Sequence, residues 1–444
     1  MDGFEEVVRA GAKFVSVQFV DLLGNMKACE TTIAHFEEVV KAGGLWFDGS
    51  SIEGFVRIHE SDLFLKPDMD TLVLLPWTEN KVARVMCSVY NRDGTPFMGD
   101  PRNILKRVLE KAGKLGLEYK VGPELEFFLF RDTQNNGGPT TQPDPHDKGS
   151  YFDLGPVDEG INVKREAMLM LQQMGLDMER LSHEVAHGQH EIGFKYGNAL
   201  KIADDTQLIK NAIKIVAKKY GLYATFMPKP LFGRNGSGMH VHQSLWKLDG
   251  EKNSENVFVG EGTYGLSETA HQFVAGQLEH AREICGVVAP TVNSYKRLVP
   301  GYEAPVYVCW GRTNRSALIR VPESHGKKAT RLELRCPDPS CNPYLAFAAM
   351  LAAGLDGISR KLEPPKPVDE NVYHFDDEKL AKFYVKTLPA SLAEAIVEEE
   401  KSALLKEALG EHAFSKHIEA QKKQWEAYRL WVSDWEVSTY LARL

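Results

Sequence analysis

Three short segments far apart in the chain alternate between polar and apolar residues: 123–130, 238–244 and 330–335. Alternation with a period of two is typical of a β-strand, because successive side chains point to opposite faces. One face of each segment carries ionisable groups, and the other carries leucine, phenylalanine, methionine or valine. The pattern therefore predicts three strands, each with an apolar face to bury and a charged face that needs a partner.

The ionisable faces of these strands each repeat a polar residue at every second position: Glu124 and Glu126; His240, His242 and Ser244; Arg331, Glu333 and Arg335. Like charges on one face repel, and an unpaired carboxylate is costly to remove from water, so the two glutamates need a cation or open water. One Glu-x-Glu pair alone is more often a solvated strand face. Three such strands in one chain favour a polar cavity lined by a curved sheet.

The first 100 residues have the pattern of a small mixed α/β unit. Apolar positions predict a hairpin of strands at 14–21 and 26–32, a short helix near 36–41, a Gly/Ser-rich loop at 48–54, and strands near 71–75 and 83–89. Turn-forming residues then cluster between 91 and 101. We therefore predict a domain boundary near residue 100, with domains at 1–100 and 101–444.

The remaining residues alternate helical patterns with the polar strands. Helices are predicted near 101–115, 163–174, 204–220 and 267–288, and 388–444 reads as helical apart from a break around Gly410. Trp425, Trp431 and Trp435 in this last segment are predicted to be packing anchors. The fold class is therefore α+β, with a largely antiparallel, curved sheet backed by helices.

Composition narrows the function classes. At 444 residues and 43% hydrophobic content, the chain can bury more than one core. The net charge of -8 argues against general binding of nucleic acid or acidic membranes. Six cysteines without a Cys-x-x-Cys pair favour reduced thiols, and we find neither a signal peptide nor a membrane span. We therefore expect a soluble cytoplasmic protein.

One motif points to a different chemistry. His183-Glu-Val-Ala-His187 matches the His-Glu-x-x-His pattern of zinc peptidases, which requires a helix to bring both histidines to one face. Gly188 follows at once and Gly193 interrupts any continuation. The stretch reads better as two strands joined by a turn at 187–188, each presenting one acid, Glu184 and Glu191. The zinc-peptidase reading stays open as the minor alternative.

Phosphate binding would have to rely on metal and arginine. The chain has no Gly-x-x-x-x-Gly-Lys-Ser/Thr sequence, and 233–238 has the wrong glycine spacing for a dinucleotide fingerprint. Guanidinium groups bind phosphates and carboxylates bidentately, and six arginines fall in a short span: Arg297, Arg312, Arg315, Arg320, Arg331 and Arg335. Surface placement is favoured for Arg312. Carboxylates with one or two imidazoles prefer Mg²⁺ or Mn²⁺ over zinc, so the pattern indicates phosphoryl transfer.

Eight motifs in order resemble those of type I glutamine synthetase: Phe47-Asp-Gly-Ser-Ser-Ile52, Gly122-Pro-Glu-Leu-Glu-Phe127, Glu184-Val-Ala, Gly188-Gln-His-Glu191, Asn235-Gly-Ser-Gly-Met-His240, Asn293-Ser-Tyr-Lys-Arg-Leu-Val-Pro-Gly-Tyr-Glu-Ala-Pro305, Asn314-Arg-Ser316 and Arg331-Leu-Glu-Leu-Arg335. The resemblance covers nearly the whole length. It implies a β-grasp-like amino-terminal domain, a partial-barrel catalytic domain, and a homo-dodecamer of two stacked hexameric rings with active sites between subunits.

The resemblance also implies site residues, position by position. Two or more divalent ions, Mg²⁺ or Mn²⁺, would bind at Glu126, Glu184 and Glu191, and at Glu124, His240 and Glu333. Glutamate would bind at Asn235, Gly236, Arg297, Glu303, Arg315 and Arg335. ATP would contact Glu179, His242, Ser244, Arg315, Arg320 and Lys328. The catalytic group would be Asp48, Tyr151, Glu303 and Arg315, with Asp48 supplied by the neighbouring subunit.

The implied reaction joins ammonia to L-glutamate through a γ-glutamyl phosphate, using ATP. Gly54-Phe-Val-Arg57 resembles the glutamine-inhibited branch, so Arg57 is expected to relay feedback. The flanks of 372–374 differ from those of the loop that some relatives adenylylate, so that modification is not expected. His187 stands where relatives often have proline or glycine. Regulatory proteins of nitrogen signalling are possible partners.

Two other classes within the same family predict different site residues. A ligase joining glutamate to an amine would keep the metal acids but alter the ammonium pocket, and Asp48, Tyr151 and Glu303 are all present. A non-catalytic relative would be expected to lose metal acids, and none is missing.

Overall fold

The computed structural model describes residues 2–52, 54, 62–79, 81–132, 143–248, 255–324, 326–370, 372, 375, 380 and 386–444. Within them lie a five-stranded sheet near the amino terminus and a ten-stranded sheet in the rest of the chain. Helices cover the second sheet. The described residues therefore have the α+β class that the sequence predicts.

The first sheet is mixed, with the order β2-β1-β5-β4-β3. Its strands are β1 (Phe14–Val20), β2 (Met26–Thr32), β3 (Leu45–Asp48), β4 (Asp62–Leu74) and β5 (Val82–Tyr90). The predicted hairpin of β1 and β2 is confirmed, and its tight turn has Gly24 at φ 86°, a conformation that glycine adopts without strain. Strand β1 also pairs in parallel with β5. Two helices flank the sheet, α1 (Asp2–Arg9) and α2 (Ile33–Lys41).

The second sheet runs β15-β12-β13-β14-β11-β6-β8-β7, with β9 and β10 also paired to β6. Its strands are β6 (Leu117–Arg131), β7 (Met178–His183), β8 (Gln189–Phe194), β9 (Gly197–Asn198), β10 (Leu222–Thr225), β11 (Met239–Lys247), β12 (Tyr307–Gly311), β13 (Ala317–Arg320), β14 (Leu332–Leu334) and β15 (Lys386–Thr387). All pairings are antiparallel except that of β12 with β13. The three predicted polar strands thus lie side by side, as β6, β11 and β14.

Helices on this sheet bury its apolar face. The described helices of this part of the chain are α3 (Pro101–Lys114), α4 (Ile161–Gln173), α5 (Ala199–Lys219), α6 (Glu268–Glu279), α7 (Ala281–Val288), α8 (Ser294–Arg297), α9 (Pro343–Ser359), α10 (Leu392–Glu400), α11 (Ala403–Leu409), α12 (Glu411–Leu430) and α13 (Asp434–Tyr440), the last of which buries no residue. Helix α9 is apolar on nearly all sides and almost wholly buried. It is therefore the centre of the helical layer.

A polar network joins the two sheets. Arg102 at the start of α3 bonds Asp204 of α5, with Nη2 to Oδ2 at 2.9 Å, and Asp68 of β4 at 2.7 Å. Tyr344 donates to the same Asp204 at 2.6 Å. A buried guanidinium satisfied by two carboxylates is strongly held, so the amino-terminal sheet is anchored against the helical layer.

Three sequence predictions about helices need correction. The predicted helix at 267–288 is divided at His280 into α6 and α7. The carboxy-terminal segment breaks at Gly410 as predicted, and also between α10 and α11 and between α12 and α13. Trp425 packs partly against the core, but Trp431 and Trp435 are 75% and 64% exposed, so they are not packing anchors within this chain. Across the described part of the chain, no helix combines the length and apolarity that crossing a membrane requires.

Candidate active site

A polar cavity of about 490 Å³ opens on the inner face of the second sheet. Strand pairing brings its acids together, because the register places His240 opposite Glu124 and Glu126 opposite Glu191. Strand β14 adds Glu333, which pairs with His242. All six residues predicted as metal ligands line this cavity: Glu124, Glu126, Glu184, Glu191, His240 and Glu333.

One half of the cluster has the geometry of a cation site. Ligand atoms of Glu124, His240 and Glu333 all lie within 4.8 Å of one another. His240 Nδ1 is 3.3 Å from a Glu124 oxygen and 3.7 Å from a Glu333 oxygen. Burial, with help from Arg335, lowers the pKa of His240 to about 4, so its imidazole is neutral at physiological pH. A neutral imidazole between two carboxylates can ligate a divalent ion.

The carboxylates of this half are ionised. Burial would raise the pKa of Glu124, but hydrogen bonds from His240 and His242 outweigh it and hold that pKa well below its usual range. Burial of Glu333 is likewise outweighed by Arg335 and the two imidazoles, which bring its pKa to about 2. Both acids are therefore available as anionic ligands.

The other half consists of acids that repel one another. Burial raises the pKa of Glu126 to about 8, and the charge of Glu191 adds to the shift. Burial and the charges of Glu126 and Glu191 raise the pKa of Glu184 to about 9. Burial and the charge of Glu124 also raise the pKa of Glu191. Such a cluster holds protons until a cation replaces them.

The His-Glu-x-x-His motif is not helical. His183 ends β7, and a turn at Gly188, with φ 69°, leads into β8. His183 is buried and its Nε2 faces Asp147 at 3.1 Å, outside the cavity. The predicted strands and turn are confirmed, although Glu184 follows the end of β7 and only Glu191 lies within a strand. The peptidase motif lacks the shared helical face that zinc binding needs.

Basic and amide groups line the same cavity beside the acids. The residues that the sequence associates with glutamate all lie there: Asn235, Gly236, Arg297, Glu303, Arg315 and Arg335. Arg297 is held by backbone carbonyls, with Nη1 to Cys336 O at 2.9 Å and Nη2 to Arg335 O at 3.1 Å. Its guanidinium is therefore fixed before any ligand arrives.

A second cavity of about 330 Å³ adjoins the first, and Glu124 and His242 line both. It brings together four of the residues assigned to ATP, which are Glu179, His242, Ser244 and Lys328. The other two, Arg315 and Arg320, line the first cavity. Arg320 Nη1 lies 2.9 Å from a Glu333 oxygen, at the acid cluster. The two cavities together can accept an elongated, charged molecule.

Glu303 and Tyr151 also line the first cavity, whereas Asp48 does not. Glu303 has φ 59°, an unfavourable backbone conformation for a residue with a Cβ, and its Oε2 accepts a 3.2 Å hydrogen bond from Asn235. Asp48 is exposed at the end of β3 in the amino-terminal sheet. Arg57 and residues 373–374 lie outside the described residues.

Sequence reasoning missed several polar residues of this cavity, among them Arg180 and Gln189. Arg180 on β7 bonds Glu191 and lies 3.8 Å from Glu124, so it partly neutralises the acids. Gln189 donates to Glu126 Oε2 at 2.9 Å. Arg180 lies four positions before Glu184, on the same face of an extended chain, and this spacing is a signal that could have identified it.

Known proteins of one family match this chain over nearly its full length. A family model described as the glutamine synthetase catalytic domain matches residues 98–440, and one described as the glutamine synthetase β-Grasp domain matches 11–92. Glutamine synthetase of Methanocaldococcus jannaschii is 49% identical over 448 residues, covering 98% of this chain and 97% of that protein. Among solved structures, a GmaS/ADP complex has TM-score 0.89 and 32% identity over 99% of both chains. Plasmodium falciparum glutamine synthetase has TM-score 0.85 and 27% identity, covering 99% and 98%.

Proposed function

This chain belongs to the glutamine synthetase family, and from that premise we propose how its residues divide the reaction. It has the β-grasp domain and half-barrel catalytic domain of that family. It is an ATP-dependent ligase that forms glutamine from glutamate and ammonia. The observation that carries the assignment of residues is the convergence of five glutamates and one histidine, from four strands and a turn, on one cavity.

The acid cluster fits divalent cations. Glu126, Glu184 and Glu191 would hold one ion, and Glu124, His240 and Glu333 would hold another. Oxygen donors with a single imidazole suit Mg²⁺ or Mn²⁺. Divalent ions bound there would neutralise charge on the phosphates of ATP and so favour transfer of the γ-phosphoryl group. The raised pKa values of Glu126 and Glu184, about 8 and about 9, support this role, because a carboxylate cluster without cations cannot be fully ionised.

Glutamate lies against fixed donors. Arg297 and Arg335 bind its carboxylates, with Asn235 and the backbone of Gly236 completing the contacts. The γ-carboxylate then attacks the γ-phosphorus of ATP, and ADP leaves. Arg315 contacts both substrates and stabilises the charge that develops on the transferred group. The product of this step is γ-glutamyl phosphate, whose phosphate is a far better leaving group than hydroxide.

ATP occupies the second cavity and points its phosphates into the first. Glu179, Ser244 and Lys328 contact the nucleotide, while His242, Arg315 and Arg320 contact phosphates. The continuity of the two cavities through His242 and Glu124 supports this path. The solved GmaS that this chain resembles is a complex with ADP.

Ammonium binds beside Glu303, Tyr151 and Asp48. Anions attract the cation, and Glu303 accepts its proton, so that ammonia can attack the acyl carbon and displace phosphate. The bend at Glu303 follows Gly301, at φ 91°, which suits a loop that closes over the intermediate and excludes water. Asp48 is exposed and does not line the cavity of its own chain, which supports the proposal that it reaches the cavity of a neighbouring subunit.

The assembly is a dodecamer of two hexameric rings. The exposed carboxyl-terminal residues support subunit contacts, since Leu430, Trp431, Val432, Trp435 and Leu441 are each more than 60% exposed in the single chain. Apolar surface of this kind is typical of an interface. A cytoplasmic location, feedback relay by Arg57 and binding of nitrogen-signalling proteins are part of the same proposal. The free thiols of all six cysteines support a reducing compartment.

An assay of ADP release tests the proposal. We expect release to require glutamate, ammonium and Mg²⁺ or Mn²⁺ together, with glutamine as product. Glu191→Gln should lose at least about 10²-fold in kcat/KM. The matched control Glu110→Gln, on the exposed side of α3, should keep full activity. Equal or faster turnover with methylamine would favour the amine ligase, and cleavage of peptides with bound zinc would favour the peptidase.

A further inference from the structure

A second cluster of ionisable side chains lies behind the catalytic sheet. His190 alternates with Glu191 along β8, so it points away from the cavity. It lies beside His146 and Asp147. All three side chains are buried, with exposed fractions of 0% for His190, 1% for His146 and 4% for Asp147. Ligand atoms of these three residues lie within 4.8 Å of one another. None of them has a place in the reaction described above.

Several atoms of this cluster are buried without a hydrogen-bond partner. They are both ring nitrogens of His190, Nε2 of His146 and Oδ2 of Asp147. The last two are 3.0 Å apart, within the distance of an ion pair. Buried polar groups are almost always satisfied, so a group of orphans that face one another needs an explanation such as a bound ion. A proton on His146 could pair it with Asp147, but would leave His190 unsatisfied.

Neighbouring groups orient these side chains as metal ligands require. His146 Nδ1 is 3.0 Å from the carbonyl of Leu129, so Nδ1 carries the proton and Nε2 keeps its lone pair. Asp147 Oδ1 accepts from His183 Nε2 at 3.1 Å and from the backbone N–H of Gly188 at 2.9 Å. Its Oδ2 is thereby turned toward His146.

His190 has a matching carboxylate on its other side. Its Nδ1 is 3.9 Å from Asp158 Oδ1, which is also an orphan, while Asp158 Oδ2 pairs with Lys164 at 2.6 Å. A shift of about 1 Å would make Nδ1–H donate to Asp158 and leave Nε2 as a ligand. This is the carboxylate–histidine–metal arrangement of protein metal sites.

Gly160 leaves the space in front of both imidazoles clear. A Cβ at this position would lie 2.7 Å from His190 Nε2 and 2.9 Å from His146 Nε2. Its φ is -80°, which any residue can adopt, so the backbone does not require glycine here. Both Nε2 atoms therefore lie within 3 Å of the same point.

We propose that His146 Nε2, His190 Nε2 and Asp147 Oδ2 hold a divalent transition-metal ion, Zn²⁺ by preference. Two imidazoles and one carboxylate suit zinc rather than Mg²⁺, and a fourth position is open to water. Ligand atoms around tetrahedral zinc lie about 3.4 Å apart, so small side-chain adjustments complete the site. The ion ties the segment before α4 to β8 and so supports the strand that presents Glu191. This inference does not depend on the proposed roles in the reaction.

The test measures bound metal in the full-length chain without an affinity tag. The protein is stripped with chelator, loaded with Zn²⁺ alone, and freed of loosely bound metal in buffer containing Mg²⁺. We expect about one retained zinc per chain in the wild type and less than a tenth of that in His146→Asn. Glu124→Gln, which alters the catalytic cavity, should keep its zinc.

A second measurement decides the case even if His146→Asn fails to fold. Co²⁺ loaded into the wild-type protein in place of zinc should give the strong visible absorption of a tetrahedral site. Only weak, octahedral absorption would overturn the proposal. The proposal would also be overturned if the wild-type protein retained no zinc. The same holds if zinc were lost in Glu124→Gln and kept in His146→Asn.

Discussion

At the scale of single residues, the polar cavity of the second sheet separates its acids into two groups by environment. Glu124 and Glu333 lie beside imidazole and guanidinium groups and are ionised. Glu126 and Glu184 have mainly one another and Glu191 as charged neighbours, and they hold protons into the alkaline range. Glu126 and Glu184 must therefore lose a proton before a cation binds, whereas Glu124 and Glu333 are already ionised.

Metal binding is expected to release protons and to tighten as pH rises. The pKa values of Glu126 and Glu184 are about 8 and about 9, so at neutral pH each carboxyl holds a proton that a divalent ion must displace. Calorimetric titration with Mg²⁺ in two buffers of different ionisation enthalpy should detect net proton release at about pH 7, and less release at about pH 9.5. Equal enthalpies in both buffers at neutral pH would contradict this prediction.

Stability without metal should fall with pH over the same window. The folded chain keeps protons on these two acids that the unfolded chain, with pKa 4.5, has lost, so between 4.5 and about 9 the folded state binds more protons. The stabilising contribution is complete below 4.5 and decreases as pH rises through the folded pKa values. The Tm of the metal-free protein should drop between about pH 6 and about pH 9. The drop should be smaller in the double variant Glu126→Gln, Glu184→Gln.

Glu303→Gln should slow the second step rather than the first. Loss of a general base typically costs about 10²- to 10⁴-fold in kcat. Hydroxylamine is already unprotonated at neutral pH, so its use in place of ammonium should restore much of the lost rate. The KM for ATP should stay near the wild-type value. An equal loss with both nucleophiles would show that Glu303 does not accept the proton.

At the scale of elements, the close approach of α6 and α9 limits the size of the side chains that fit between these two helices. A Cβ on Gly276 would lie 2.1 Å from the carbonyl oxygen of Ala353. Gly276→Ala should therefore force the helices apart and lower the unfolding midpoint, at a cost of about 1 to 3 kcal/mol. Gly113→Ala is the matched control, because nothing lies within 4 Å of its Cβ in α3, and it should raise stability by about 0.5 to 1 kcal/mol. Urea unfolding of the two variants measures the difference.

At the scale of the whole molecule, the proposed active site combines residues of two subunits. Asp48 does not line the cavity that holds Glu303, so the two residues should act across a subunit boundary. Asp48→Asn and Glu303→Gln chains should each be nearly inactive alone. Unfolded together and reassembled in equal amounts, they should regain activity at about a quarter of the interfaces, where both residues are intact. No recovery in verified mixed assemblies would place Asp48 outside the site.

The local pattern of the sequence determined the strands and the polar residues they present. Strict alternation predicted that Glu124, His240 and Glu333 lie on polar strand faces, because side-chain direction in a strand depends only on position along the chain. The turn after His183 was also predictable from the local sequence, because Gly188 disfavours a helix that continues through the motif. Resemblance to a known family then supplied the roles that alternation alone could not.

Tertiary structure decided what depends on contacts between distant segments. The pKa differences among the glutamates, the part played by Arg180 and the buried cluster around His190 arise from neighbours brought close only by folding, and no periodicity records them. The exposure of Trp431 likewise could not be predicted from the local sequence. A tryptophan at helical spacing has the same sequence pattern whether it packs within its own chain or against another subunit. The sequence determined which groups each strand carries, and the fold determined which of them meet.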